Sequence, residues 1–469
     1  MKQHWVVCVV SIVMACGKSS SPPPPSSSSG SGSGSGSGSA EAKAPSKPAA
    51  ADAVFVSLHG KNGLVSIEHG AFKTIVPDGK ATGRPIPRKG GGIYVWVEGS
   101  VMEYDGELRP MAGIPNQVQP QAASPDGVMW AASRGTVATY DGKAWTVEKT
   151  GLPDNLMATS YLFAPDGTVY LRVLEHIAVR RAGAWSVISA GGRVEEAALA
   201  GNVLYVIMKE RVLKLDGDKL VEIGKTKGLR MRSGPDAVYV LGYHGVQKIE
   251  ADKLVAVPKL DVLDVVFGPD GTLYGYNVDS KRIVRRKPDG TVDKVPAADL
   301  PFKVENLAVD GRGRLWVRVH YGFVLIDGNK VTLVTPGTVP ELTTRIDHLI
   351  VTGNGPDMPD VGAPKLINLK GIIVSGGQPK PGVKFEICNE ASSVFYGASP
   401  CEGKSFVRRA TSGADGSFVI KDVPLGGWHL IYKKTADSWA FYFPDKCCGG
   451  LPKGGTFDMG QIEFGRSSR

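Results

Sequence analysis

One hydrophobic pattern recurs along the chain between about residues 52 and 353. A short apolar run with a central aromatic returns eight times: Val54-Phe55-Val56, Ile93-Tyr94-Val95, Met129-Trp130-Ala131, Val169-Tyr170-Leu171, Leu204-Tyr205-Val206, Val238-Tyr239-Val240, Leu273-Tyr274-Gly275 and Leu315-Trp316-Val317. Successive aromatics stand 34–42 residues apart. Such β-branched and aromatic runs, bounded by turn residues, read as strands rather than helices. A tight turn precedes several of them, as Ser124-Pro125-Asp126-Gly127, Ala164-Pro165-Asp166-Gly167 and Gly268-Pro269-Asp270-Gly271. Proline suits the second turn position and glycine supplies the positive φ that ends the turn.

Each copy then continues alike. A further strand ends in a hairpin glycine, as in Tyr104-Asp105-Gly106, Tyr140-Asp141-Gly142, Leu215-Asp216-Gly217 and Ile326-Asp327-Gly328. Another opens on a bulky residue such as Trp145, Trp185, Leu220, Leu254 or Val331, and a loop leads to one more apolar strand before the next turn. Four strands per repeat at this period make one blade of a β-propeller, and the period is too long for a leucine-rich repeat. The expected fold is therefore all-β: an eight-bladed propeller over residues 52–353, with seven blades as the alternative. The repeat resembles those of sensor-type and NHL-type propellers over about 300 residues. That resemblance implies the fold and leaves the activity open, since propellers carry unrelated functions. The recurring aromatics are expected to pack between blades.

The ends of the ring are distinctive. The first copy starts directly with its aromatic strand. The missing strand appears at the far end, where Arg345-Ile346-Asp347-His348-Leu349-Ile350-Val351 reads like Lys303-Val304-Glu305-Asn306-Leu307-Ala308-Val309. The segment Ile346–Val351 is expected to enter blade one as its innermost strand.

A Gly/Pro/Asp linker over residues 354–366 precedes a different pattern over 367–465. Its marks are Leu369-Lys370-Gly371-Ile372-Ile373-Val374, Pro381-Gly382-Val383, Thr411-Ser412-Gly413-Ala414-Asp415-Gly416-Ser417-Phe418 and Asp422-Val423-Pro424-Leu425-Gly426-Gly427-Trp428. This region resembles the carboxypeptidase regulatory-like family, with Trp428 where tyrosine is usual. The resemblance implies a small transthyretin-like β-sandwich, in which Gly416 permits a hairpin and Phe418 fills the core, with no catalytic residue to transfer.

The first residues concern delivery. Trp5 to Ala15 is an apolar run after Lys2, short for a membrane span and suited to a signal peptide over residues 1–15. Val13-Met14-Ala15-Cys16 resembles a bacterial lipobox, which implies cleavage before Cys16 and acylation of that residue. Residues 16–51 are Ser/Pro/Gly low complexity, a composition that buries no core. As a flexible tether of this length they span about 30–35 Å. Gly17 in place of Asp favours, by resemblance, an outer-membrane lipoprotein. Export suits the cysteines: Cys388, Cys401, Cys447 and Cys448 allow two disulfides with three connectivities, of which Cys388–Cys401 is favoured. The formal charge of +9 is scattered rather than clustered, so nucleic acid is not an expected partner.

Antiparallel strand order brings two loop sets to one end of the propeller. Loops after the aromatic strands offer His59, Glu98, Arg134, Glu175, His176, Lys209, His244, Asn277, Asp279 and His320; loops entering the innermost strands offer Glu195, Glu196, Arg230, Asp264, Glu305, Asp347 and His348. This mixed polar rim suits a polar ligand or a protein loop better than a lipid. His59, His320 and His348 lie at the closing blade, but no local H-x-x-x-H pair supports a metal site. Neither a G-x-S-x-G elbow nor a phosphate loop is present. No cofactor and no catalytic residue is assigned, and a monomer is expected. The leading expectation is a non-catalytic binding lipoprotein of the envelope that recognises polysaccharide or an envelope protein. A metal-dependent hydrolase, lactonase or lyase in the channel, and a structural scaffold subunit, are the alternatives.

Overall fold

A computed structural model describes residues 51–465 except 61–62, 116–117, 155, 157–159, 243–244, 278–281, 296–303, 320–321, 336–337, 340, 343–344, 363–365, 389–397, 403–406, 425–428 and 443–454. Every described regular element is a strand. The signal peptide, Cys16, nearly all of the tether, Trp428, Cys447 and Cys448 lie outside the described residues.

Between residues 53 and 352 the described residues form eight four-stranded antiparallel sheets. Seven of them use four consecutive strands; blade four, for example, comprises Ser160–Phe163, Val169–Val173, His176–Arg181 and Ala184–Ser189. The aromatic strand is second in each, and its aromatic leans on the following blade. Phe55 meets Tyr104 edge-on at 6.2 Å, Tyr94 meets Tyr140 at 6.1 Å, Trp130 meets Phe163 at 5.7 Å and Tyr239 meets Phe267 at 5.0 Å. Tyr205 donates its hydroxyl to Asp252 across the next boundary (3.0 Å). These positions hold the ring together, as aromatic pairs and buried hydroxyls with partners do.

The Pro-Asp-Gly turns form as the sequence dictates. The Gly127 amide donates to Ser124 O (2.8 Å) and the Gly167 amide to Ala164 O (3.0 Å), with φ of 91° and 84° at the two glycines. The aspartate stabilises the turn: Asp166 Oδ1 accepts from the Thr168 amide at 2.9 Å and Asp270 Oδ1 from the Thr272 amide at 3.0 Å.

Blade one is built from both ends of the repeat region. Its order is Ala71–Val76, Leu64–Glu68, Ala53–Leu58 and Ile346–Thr352, the last pairing antiparallel with Ala53–Leu58 in the register Val54↔Val351 and Val56↔Leu349. All six residues of Ala53–Leu58 are buried. Val54, Val56 and Leu58 share a core with Trp316, Phe323, Ile346 and Leu349, which fuses blades eight and one.

The segment after the ring differs from a free linker at its start. Asp310 and Arg314 form a buried ion pair (2.8 Å), and Arg314 Nη2 donates to Asn354 O (3.0 Å) and Pro356 O (2.9 Å). Arg312 binds Asn354 O and Asp357 (both 2.8 Å). The Asn354 amide donates to Asp52 Oδ1 (2.8 Å), tying the exit to the entry. In sequence, Gly353–Pro359 reads as punctuation because these carbonyls carry no side-chain signal.

The described residues between 366 and 463 make two further four-stranded sheets. Leu366–Ser375 pairs with Ser417–Pro424 and, in parallel, with Gly455–Glu463; Lys384–Cys388 pairs with Val407–Thr411 and His429–Thr435. The sheets enclose one core that includes Leu369, Ile373, Phe385, Phe418 and Tyr432. Phe418 stacks on Phe385 at 4.1 Å, and Gly416 has φ 74° with a Cβ position only 2.5 Å from Ile373 O, so no larger residue fits. Cys388 and Cys401 are joined by a disulfide within this domain.

Candidate functional site

In an antiparallel blade, the loop after the aromatic strand and the loop entering the innermost strand lie at the same end. Glu98, Arg134, Glu175 and Lys209 occupy the first loop set, and all four are exposed. Glu98 and Lys209 have positive φ of 46° and 48°, the geometry of tight hairpin turns. His244, Asp279 and His320 lie outside the described residues. His348 lies within the closing strand rather than in a loop, opposite Ser57 and half-buried.

The rim charges that are brought together pair with one another. At blade one, His59 Nδ1 lies 3.1 Å from both carboxylate oxygens of Asp347 and 2.9 Å from Arg345 Nη2. The His59 amide donates to Arg345 O at 2.8 Å, so backbone and side chains fasten the loop to the closing strand. Between blades six and seven, Asp264 accepts from Arg230 Nη1 (2.8 Å) and from Arg232 Nη2 (2.9 Å). Arg318 pairs with Glu305 at 3.2 Å and also donates to Ile346 O (2.8 Å) and Asp347 O (2.7 Å). Arg172, at the same place in Val169–Val173 as Arg318 in Leu315–Val319, donates to Glu195 O of the next blade. An arginine two residues after the aromatic is thus a blade-to-blade clamp; the repetition of Tyr-Leu-Arg and Trp-Val-Arg is its sign in the sequence.

His348 is held below the ordinary histidine pKa, first by burial and then by the Arg84 and Arg318 charges, against the opposing pull of Asp347. Its neutral form therefore favours the fold. That contribution is complete above the unfolded histidine value of about 6.5 and is lost as pH falls from there through the depressed native value. The denaturation midpoint of the protein should drop between pH 7 and pH 5 by more than that of His348→Gln; equal drops would remove His348 from the account.

The same end holds a cavity of about 530 Å³ between blades five and six. Glu210, Lys225, Thr226, Lys227 and Gln247 give it charge and hydrogen-bonding groups, and Val240, Val246 and Ala256 give it an apolar wall. Thr226 Oγ1 bonds Gln247 Oε1 and accepts the Gly228 amide, both at 2.9 Å, which fixes the loop. Gly228 and Gly242 let two loops touch: a Cβ on Gly228 would stand 2.3 Å from the Val240 side chain, and one on Gly242 2.7 Å from Lys227 O. Sequence reasoning singles out Lys209 and Arg230, which flank this cavity in the chain, and misses Glu210, Lys225, Lys227 and Gln247. The signal is faint: glycines at 228, 242 and 245 around two lysines.

Among the described residues no group of three His, Cys, Asp or Glu side chains converges as a metal site would require.

No protein-family model matches the chain, and no curated protein matches it. Solved structures similar to it include apo AztD from Citrobacter koseri, at 11% identity over 65% of this chain and 99% of that one, TM-score 0.41. Virginiamycin B lyase from Staphylococcus aureus is 12% identical over 60% of this chain and 98% of that one, TM-score 0.40. The extracellular domain of a one-component system from B. thetaiotaomicron, BT4673, is 9% identical over 86% and 83%, TM-score 0.24. At these values the likenesses carry no activity or ligand over to the chain. The fold rests on its own sheet topology: a β-propeller followed by a smaller β-sandwich.

Proposed function

We propose that this chain is a lipid-anchored recognition protein of a bacterial envelope, acylated at Cys16, exported to the outer membrane, and non-catalytic. Its ligand is a polysaccharide bound at the propeller end that gathers the rim loops. The observation that carries this reading is the cavity between blades five and six. Donors and acceptors on Lys225, Lys227, Glu210 and Gln247 border a small apolar wall there, a combination that suits hydroxyl-rich sugar rings. The rim ion pairs fit the same role, because they keep loops rigid before a ligand arrives. The tether over residues 16–51 holds the propeller off the membrane, and the sandwich, read as a carboxypeptidase regulatory-like module, serves as a spacer.

Cys16→Ser is expected to release the chain in soluble form, and that soluble protein is the reagent for a screen against envelope polysaccharides. Binding should weaken by about tenfold in Lys225→Ala/Lys227→Ala, on the scale of losing charge-assisted hydrogen bonds. Polysaccharide binding that survives the double substitution places the site elsewhere. Binding only to an envelope protein overturns the ligand class.

A further inference from the structure

The grooves at the opposite end of the blades, where the Pro-Asp-Gly turns lie, show a partner present in one place and missing in another. Between blades three and four, Arg180 forms a bidentate pair with Glu148: Nε to Oε2 at 2.8 Å and Nη2 to Oε1 at 2.9 Å. Between blades six and seven stands the equivalent arginine. Arg180 pairs with Val169, the residue before the aromatic Tyr170; Arg286 pairs with Leu273, the residue before Tyr274. The equivalent of Glu148 follows from the same ladders. Glu148 lies opposite Val137, which lies opposite Ala132, two residues after Trp130. In blade six that path runs from Tyr239 to Leu241, Val246 and Val257. Blade seven thus has the guanidinium that blade four has, and blade six has valine where blade three has the carboxylate.

Arg286 consequently has no hydrogen bond or ion pair among the described residues, and its Nε is buried without a partner. It lines a cavity of about 340 Å³ together with Val257, Tyr239 and Lys248. The carboxylates nearby are engaged elsewhere. Asp236 and Glu250 both hold Lys248, at 2.7 and 3.0 Å; Asp270 accepts from the Thr272 amide (3.0 Å) and hydroxyl (2.8 Å); Asp289 accepts from the Thr291 amide (2.8 Å). A half-buried guanidinium whose Nε is enclosed beside an open cavity is stabilised when an anion enters, and its planar fork matches a carboxylate.

We propose that the groove between blades six and seven is a carboxylate-binding site in which a ligand replaces the missing glutamate, and that the ligand is a uronic-acid sugar. The engaged carboxylates of Asp236, Glu250 and Asp270 repel a bare anion but accept hydrogen bonds from hydroxyls. A molecule that carries one carboxylate and several hydroxyls satisfies both demands, and the cavity has room for one pyranose ring. The site lies in the next groove from the cavity beside Lys225 and Lys227 and shares only Ala256 with its lining, so neither reading depends on the other.

The test is calorimetric titration of the soluble full-length chain with glucuronate, glucose and acetate. Glucuronate is expected to bind at least about tenfold more tightly than either glucose or acetate. Arg286→Gln should abolish that preference with little change in melting temperature, since Arg286 makes no hydrogen bond or ion pair among the described residues. Val257→Glu, which places beside Arg286 the internal partner seen between blades three and four, should also close the site. Equal affinity for glucuronate and glucose, absence of saturable binding, or a preference that survives both substitutions would each overturn the proposal. Acetate binding as tightly as glucuronate would overturn the sugar assignment.

Discussion

A chain truncated after Thr344 should lose the cooperative unfolding transition of the propeller, whereas one truncated after residue 365 should keep it. The two differ by the strand Ile346–Thr352 and the segment that Arg312 and Arg314 hold. Without that strand the fully buried Ala53–Leu58 becomes an unpaired edge, which invites aggregation. The burial of Ile346 and Leu349 is lost as well, about 1.5–3 kcal/mol for each side chain. Both residues sit in the core shared by blades eight and one, so their loss opens the ring as well as thinning it. Set against a net stability of roughly 5–15 kcal/mol for a folded domain, these terms of about 3–6 kcal/mol together are a large share of the margin. The longer truncation retains Met358 and Val361, which pack on that same core. Differential scanning calorimetry of the two chains is the check. A shorter chain that melts like the longer one would mean that the ring does not need its closing strand.

The second large effect is expected at Asp310. Its side chain is fully buried, and it accepts from the amides of Arg312 and Arg314 (3.0 Å each), from Arg314 Nε (2.8 Å) and from Trp316 Nε1 (2.9 Å). Asp310→Ala would leave the Arg314 guanidinium, only 7% exposed, without its counter-charge. Breaking one side of a buried pair costs about 3–5 kcal/mol, chiefly through the uncompensated charge that remains. The double variant Asp310→Ala/Arg314→Leu should therefore be more stable than Asp310→Ala alone. Denaturant midpoints of four proteins, the unaltered chain, Asp310→Ala, Arg314→Leu and the double variant, decide it. If the double variant loses the sum of the two single effects, the pair is not acting as a unit.

Much of the architecture is legible in the sequence because it rests on repetition. The aromatic of each repeat, the Pro-Asp-Gly turn and the likeness of Ile346–Val351 to Val304–Val309 are properties of neighbours in sequence, and all three describe blade packing. The sandwich core is legible for a similar local reason: the Asp415-Gly416 turn sets the strand on which Phe418 faces inward to stack on Phe385. What is not legible depends on contacts between repeats. Arg314 reaches the carbonyls of Asn354 and Pro356 far along the chain, and carbonyls carry no residue signature. Lys225 and Lys227 look like ordinary exposed loop charges until Gly228 and Gly242 bring two loops together. The partnerless Nε of Arg286 is invisible without strand register, because its significance lies in Val257 standing where another blade has Glu148. The rim histidines look alike in sequence, yet His59 is tied to Asp347 and Arg345 while His348 lies in the closing strand itself.

The strands Ala53–Leu58 and Ile346–Thr352 pair across the ends of the repeat region. Cysteine pairing tests it most directly. Ala53 lies opposite Thr352 in the register, so the double variant Ala53→Cys/Thr352→Cys should form a cross-link on mild oxidation, identified as a joined peptide by mass spectrometry. The offset pair Ala53→Cys/Val351→Cys should not, because adjacent residues of a strand point to opposite faces. Cross-linking of the matched pair alone is the predicted result. No cross-link, or equal yield from both pairs, would contradict the closure on which the propeller is built.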